Sequence, residues 1–470
     1  MIALRVVVAL LLATEAASGQ VSFGCVCSTD VPFATGLNNS HKLAASSEMV
    51  GAMSDTVTLV FQSSESIYAS IGVFDMGSVV WTRPVQMYSG ANPGVEYGRD
   101  RCRHLVWQDY DTIARAQQVF YRNFEYRMMP VNVSNTSGNS VHPDVWADEA
   151  GLAHVVWEDY SHGKPRIYYR TCNMNGTVGD TFLVSTDTVG CSFLPSIGMF
   201  PADSELVIAW QEVDSGSRSP YSIKRRRQQN GIWQDVETLA RSSLALRHPS
   251  LDYGSPGESF SAAWEDSSSG NMEAHFEGGN PGGGYPTPGR STVPVVATLE
   301  STWSYLFWQE ESSGVSDIYV NLYYFLTGWT NWSLRHMLSI DEDMHWPNCL
   351  GALVVWTQGN HEPYKVMYVF SGYPIPIAEE QKMPVSVGVV SVQPNPMYNR
   401  AIIRLAGEAQ AHTEVEVLDA SGRKVRTWAG NFQQVVWDGT DQHGKGLPAG
   451  VYFVRVKAAG RKAVVQTLKL

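Results

Sequence analysis

A run of apolar residues ending in tryptophan and followed by acids or amides recurs along the chain. It reads HLVWQD at Trp107, HVVWED at Trp157, VIAWQE at Trp210, SAAWED at Trp264, YLFWQE at Trp308 and LVVWTQ at Trp356. The intervals are 50, 53, 54, 44 and 48 residues. Pro93, Pro143, Pro195, Pro249 and Pro294 each stand 14 or 15 residues before their tryptophan, and Pro347 stands nine before Trp356. A seventh, degenerate copy reads TLVFQSSESIYASIGVF, with Phe61 in the place of the tryptophan. A unit this short cannot bury an apolar face alone, so the copies must stack on one another into one array.

Each copy resolves into short strands by alternation and by its β-branched and aromatic content. In the copy around Trp157 the strands are HPDVWAD, GLAHVVWED, RIYYRTC and GTVGDTFLVST, with Gly- and Ser-rich turns such as YSHGKP between them. Four antiparallel strands in each of seven units predict a seven-bladed β-propeller, with the tryptophan on the second strand filling the wedge toward the next blade. The last copy has VVWTQ and KVMYVF but no fourth strand, which predicts that a segment between residues 20 and 45 completes it. Charged residues are only 17% of the chain beside 41 Gly, 23 Pro and 15 Trp, a mix that argues against long helices.

His142 to Arg170 closely follow the phrase HPD…D…G..H.VW.D…G…IYYR, and the other copies follow it loosely. In this the region from about 46 to 370 resembles the BNR-like, or sialidase-like, propeller superfamily. That resemblance implies the propeller fold and either of two function classes: a non-catalytic glycan- or protein-binding module, or a sialidase-like glycoside hydrolase acting on extracellular glycans. The Asp-box turn S-x-D-x-G-x-x-W of true sialidases does not occur in the chain, which favours the binding module.

The chain opens with MIALR, the apolar run VVVALLLA and the small residues AASG, the three regions of a secretory signal peptide over residues 1–19. The run is too short to span a bilayer, and no later segment reaches that length. Cys25, Cys27, Cys102, Cys172, Cys191 and Cys349 would enter an oxidising compartment, where disulfides are permitted. Cys172–Cys191 is the most economical pair, and Cys349 could meet Cys25 or Cys27 on ring closure. With 34 basic and 46 acidic residues the formal charge is −12, which disfavours a general grip on nucleic acid.

Residues 373–384 read as a linker, and a new alternating pattern begins near Val385. VGVVSV, AIIRLAG, TEVEVLD, KVRTWAG, QQVVWDG, GVYFVRVKA and AVVQTLKL are seven strands of a small immunoglobulin-like sandwich over 385–470. Asn395 and Pro396 mark a turn, Gly422 and Gly439 sit where positive φ is expected, and Trp437 is a core ring. QPNPMYNRAIIRL, VEVLDASGRKV and WDGTDQHGKGLPAGVYFVRV resemble the C-terminal sorting domain of type IX secretion cargo and the related FlgD-type Ig-like module. This resemblance implies the type IX machinery as partner and a destination outside, or on, the outer membrane of a diderm bacterium.

Acid and amide pairs follow nearly every blade tryptophan, among them Glu158/Asp159 and Glu265/Asp266. Paired carboxylates suit glycoside hydrolysis, but a group repeated in each blade is expected to serve the fold. Non-repeating residues at the start of each first strand are the better site candidates. They are Asn92, His142, His248, His345 and Trp346, with Trp146 deeper, where a ring can stack on a sugar and polar groups can orient hydroxyls. The competing role of His142 and His248 is bonding to neighbouring backbone. Arg225, Arg226 and Arg227 lie on one strand and cannot form a three-blade carboxylate clamp. Asp341, Glu342 and Asp343 lack calcium-loop spacing, no histidines share zinc-ligand spacing, and nothing calls for a cofactor or a metal.

Overall fold

The computed structural model describes residues 21–36, 41–45, 56–371 and 388–469, apart from short internal segments. The expected signal peptide and linker, and Asn395, Pro396 and Gly422, lie outside the described residues. The chain is all-β, and it divides into compact units at Pro376/Ile377.

Seven sheets follow one another in the first unit, each built from consecutive antiparallel strands. Blade 3 is representative: Ser140–Ala147 pairs with Ala153–Asp159, that strand with Arg166–Cys172, and that one with Phe182–Leu183. These are the four strands expected from alternation. The seventh sheet takes its outer strand from the start of the chain: Val21–Thr29 pairs antiparallel with Tyr364–Ser371, from Val21 opposite Ser371 to Thr29 opposite Tyr364. The expected closure by residues 20–45 is thus observed, and it pairs the edge of Tyr364–Ser371 that the seventh copy would otherwise leave open.

All six repeat tryptophans lie on second strands and are at most 2% exposed. Their packing runs opposite to the sequence expectation. Trp157 shares a core with Val106, Val119 and Tyr121 of blade 2, and Trp210 with Val156, Ile167 and Tyr169 of blade 3. Each indole therefore fills the wedge toward the preceding blade, because the alternation that fixes which face a side chain takes does not reveal on which side the neighbour stands. Phe61 follows the same rule and packs against Leu353, Val355 and Val366 of blade 7.

The expected disulfides are absent: Cys25, Cys27, Cys102, Cys172, Cys191 and Cys349 are all thiols. Cys172 is buried in the core between blades 2 and 3, where its side chain packs as an apolar group.

The second unit holds the seven strands expected from the sequence. One sheet joins Gly388–Gln393, Ala401–Ala406 and Gln434–Trp437, and the other joins Lys424–Gly430, Thr413–Asp419, Gly450–Ala458 and Arg461–Lys469. Trp437 is fully buried, meets Tyr452 edge-on at 5.2 Å, and donates its indole N–H to Thr440 O at 3.0 Å. Gly439 has φ +73, as its turn position requires.

Truncating one wedge ring should expose its cost. Trp210→Ala is expected to lower unfolding free energy by about 3–5 kcal/mol in urea titration. A loss under 1 kcal/mol would mean that the blade seams do not carry the fold.

Candidate functional site

Every first strand from blade 2 to blade 7 begins with a bulge, and its register shifts at the same place: between Ala91 and Gly94, Val141 and Asp144, Phe193 and Ser196, Arg247 and Ser250, Thr292 and Val295, and His345 and Asn348. The residue before each marker proline adopts the left-handed conformation, with φ of 49, 50, 49, 49, 48 and 54 at Asn92, His142, Leu194, His248, Val293 and Trp346. Such a φ is uncommon outside glycine and costs most for a β-branched residue such as Val293. A recurring strain needs a recurring partner, and the residue after each wedge ring supplies it.

The N–H of each left-handed residue is taken by a side chain from the preceding blade. Asn92 donates to Gln62 Oε1 at 3.1 Å, His142 to Gln108 Oε1 at 3.0 Å, Leu194 to Glu158 Oε2 at 3.1 Å, His248 to Gln211 Oε1 at 3.1 Å, Val293 to Glu265 Oε1 at 2.8 Å and Trp346 to Gln309 Oε1 at 3.1 Å. At the closing seam Thr35 N–H donates to Thr357 Oγ1 at 3.2 Å. In four blades the second residue of the pair serves its own blade instead: Trp157, Trp210, Trp308 and Trp356 donate their indole N–H to Asp159, Glu212, Glu310 and Gln358 at 3.3, 3.3, 3.1 and 3.2 Å. The repeated acids thus take the fold-serving role expected of them.

Blade 1 departs from this pattern for a reason visible in its ladder. Gln62 N–H bonds Ala34 O and Val60 N–H bonds Lys42 O, so seven residues separate these two pairing points where two separate them in the other blades. The insertion carries His41 across to blade 3, where its Nδ1 lies 3.3 Å from Asp144 Oδ1 and its ring meets Trp146 edge-on at 5.6 Å. Lys42 is fully buried and its ammonium bonds the carbonyl of Pro93. Burial alone would depress the His41 pKa, but the charge and hydrogen bond of Asp144 and the charge of Glu96 outweigh it and raise it to about 9. Burial pushes Glu96 up to about 7. Trp146 therefore stands in a charged inner cluster that sequence reading could not assemble, because its histidine comes from the insertion.

The structure places Asn92, His142, His248, His345 and Trp346 at equivalent strand starts, hence on one face of the ring, but not on equal terms. Asn92 is buried and gives its amide to Gln108 Oε1 at 2.9 Å, so it is withdrawn from any ligand. Trp346 is half-buried and packs on the amino-terminal segment, where a Cβ built on Gly36 would lie 2.4 Å from its Cδ2. His345 is half-buried beside it. His142 and His248 keep 29% and 26% of their side chains exposed while bonding buried carboxylates, not backbone: Nδ1 of His142 lies 3.0 Å from Glu158 Oε2, and Nδ1 of His248 lies 2.8 Å from Glu265 Oε1. A carboxylate only accepts, so the ring proton sits on Nδ1 and Nε2 is left for other partners. Tyr160 extends the first pair by donating its phenol to Glu158 Oε1 at 2.5 Å. Burial and the Glu158 carboxylate together raise the phenol pKa.

The other charged runs are committed elsewhere. Arg225 and Arg227 bond Glu237, and Arg226 stacks on Phe182 and Trp233. Glu342 pairs with Lys365 at 3.0 Å, and Asp343 accepts from Asn360 at 2.9 Å.

Comparison with known proteins adds a domain and a fold. Residues 400–462 match the FlgD Ig-like domain. No curated protein sequence matches the chain. Among solved structures the propeller is similar to a polysaccharide lyase, an ulvan lyase bound to -[GlcA(1-4)Rha3S]-, with a TM-score of 0.51 and 9% identity over 73% of this chain and 96% of that one. A second structure of ulvan lyase gives a TM-score of 0.50 and 9% identity over 75% and 94%. Among the described residues no helix is long and apolar enough to cross a membrane.

Glu265 offers a pH test of this face. Burial would raise its pKa, but the hydrogen bond and charge of His248 and the N–H of Val293 outweigh it and hold the carboxyl below its ordinary 4.5. Its contribution to stability is present above that value and is lost as pH falls through the lower native one. Glu265→Gln should therefore lower the thermal midpoint at pH 7 and lose less than wild type between pH 5 and pH 3; parallel curves would show that the pair carries no native charge preference.

Proposed function

We propose that the chain is an exported β-propeller whose face at His142, His248, His345 and Trp346 binds an extracellular glycan, with Asn92 and Trp146 as supports behind it. The observation that carries this reading is the pair of half-exposed imidazoles, each fixed through Nδ1 by a carboxylate only 1–2% exposed. Rings held in this way lose little rotamer freedom on binding and present a fixed hydrogen-bonding atom to a hydroxyl or carboxylate. The binding of -[GlcA(1-4)Rha3S]- by a protein of similar fold supports a saccharide ligand.

A second reading, polysaccharide cleavage, is favoured by one feature. The chain His142–Glu158–Tyr160 couples an imidazole to a buried carboxylate and a phenol, an arrangement suited to taking up a proton from a sugar carbon. The sialidase-like hydrolase reading draws no comparable support, since the arginine run is paired on the outer part of blade 4. A glycan array and incubations with ulvan and with chromogenic glycosides separate the three. Saturable binding without turnover, weakened about tenfold or more in His248→Ala, is the expected result. An unsaturated uronate product would establish the lyase, release of chromophore the hydrolase, and binding that survives both His142→Ala and His248→Ala would remove the face from the account.

Export is the second half of the proposal. The FlgD Ig-like match and the three C-terminal phrases support sorting by the type IX machinery to the surface or the medium, after removal of a signal peptide. In a host with that system, deletion of residues 385–470 should leave the propeller in the periplasm, as read by cell fractionation. Unchanged surface display would reject the sorting role.

A further inference from the structure

Six blade seams are filled by an indole and one by a phenyl ring, and two further irregularities stand at that seam. The closing strand Val21–Thr29 carries a bulge, with its register shifted between Cys25 and Cys27. Facing it, the outer strand of blade 1 is broken into Ser78–Trp81 and Val85–Ser89, which both pair with Ser66–Asp75, and the break leaves Arg83 and Pro84 outside the ladder. These three irregularities meet in one cleft of about 490 Å³ lined by Val26, Cys27, Phe61, Tyr68, Trp81 and Arg83. That volume falls within the range of about 300–1,000 Å³ usual for small-ligand sites.

The chemistry of the lining is selective. Phe61 and Tyr68 stack at 5.7 Å and 16°, and Trp81 stands edge-on to Tyr368 at 5.7 Å. The Trp81 indole N–H has no hydrogen-bond partner among the described residues. Arg83 is exposed and joins no ion pair among the described residues, whereas Arg103, Arg225 and Arg227 each hold a glutamate. Aromatic faces accept the C–H face of a pyranose, and a guanidinium takes a carboxylate or sulfate in a bidentate grip. On a chain of net charge −12 the long-range field repels anions, so any anion bound here is held by that short-range contact.

We propose that this cleft between blades 7 and 1 is a binding site for a single acidic saccharide unit, separate from the histidine face, in which the half-buried Tyr68 and Trp81 take the ring, the buried Phe61 backs Tyr68, and Arg83 takes the charge. None of its lining residues belongs to that face, so the site stands or falls independently of the function proposed above.

The test uses the full exported chain with methyl β-D-glucuronide, glucose 6-sulfate and neutral methyl β-D-glucoside, followed by saturation-transfer NMR and fluorescence titration. Saturable binding of the glucuronide identifies a carboxylate site and of the sulfate a sulfate site, with the glucoside at least tenfold weaker, roughly the value of one charged hydrogen-bonding contact. Phe61→Trp installs the ring found at the other six seams and should abolish binding without lowering the thermal midpoint. Arg83→Gln, at an exposed position that tolerates exchange, should weaken it about tenfold even if Phe61→Trp fails to fold. His248→Ala should leave it unchanged. No saturable binding of either anion, equal binding of the neutral glucoside, or undiminished binding in Arg83→Gln or in folded Phe61→Trp would overturn the proposal. Loss in His248→Ala alone would move the ligand to the face.

Discussion

The propeller depends on one interaction made seven times: a backbone N–H at the start of one blade held by the side chain that follows the wedge ring of the blade before. At six junctions the donor is a non-glycine residue in the left-handed region, a conformation that costs of order 1–3 kcal/mol and persists only where its surroundings fix it. Gln62, Gln108, Glu158, Gln211, Glu265 and Gln309 provide that fixing, and at the closing junction Thr357 does so for Thr35. Indoles fill the space behind these contacts, and at Trp157, Trp210, Trp308 and Trp356 the second residue of the pair also takes the indole N–H. A six-letter phrase thus encodes the wedge, its polar anchor and the latch to the next blade.

The sequence was most legible where a physical requirement repeats. Strand order, the number of blades, the borrowed closing strand and the seven strands of the carboxy-terminal sandwich all follow from alternation and spacing, because alternation states directly which residues face a core. The side to which each tryptophan turns was not legible, since alternation is blind to the hand of the neighbouring blade. Nor was the inner cluster of His41, Asp144 and Trp146, whose histidine arrives on an insertion that erases the proline marker of its own blade.

The site candidates were legible in part, and for a mixed reason. Asn92, His142 and His248 stand out because they precede proline and vary between copies. Asparagine and histidine are also among the residue types that best tolerate positive φ, so part of that signal reports the bulge and not a ligand. Leu194 and Val293 occupy the same conformation without such tolerance and show that the scaffold imposes it. What sets the two histidines apart is the buried glutamate beneath each, which belongs to the repeated acid pairs. One carboxylate therefore latches the next blade and orients an imidazole of its own, an economy that position in the repeat alone could not reveal.

Closure by Val21–Thr29 also imposes an order in time. The strand that completes the ring is the first part of the propeller to be synthesised, and its partner Tyr364–Ser371 is the last. Until the partner emerges, the leading strand and blade 1 present open edges and an unfilled seam, and their pairing is the most non-local contact in the ring, the kind that forms slowly. A chain crossing a membrane amino terminus first would hold its closing strand on the far side throughout transit, waiting for the blade that receives it. Closure of the ring therefore waits for the seventh blade, and the unclosed array in between is the species most exposed to aggregation and proteolysis.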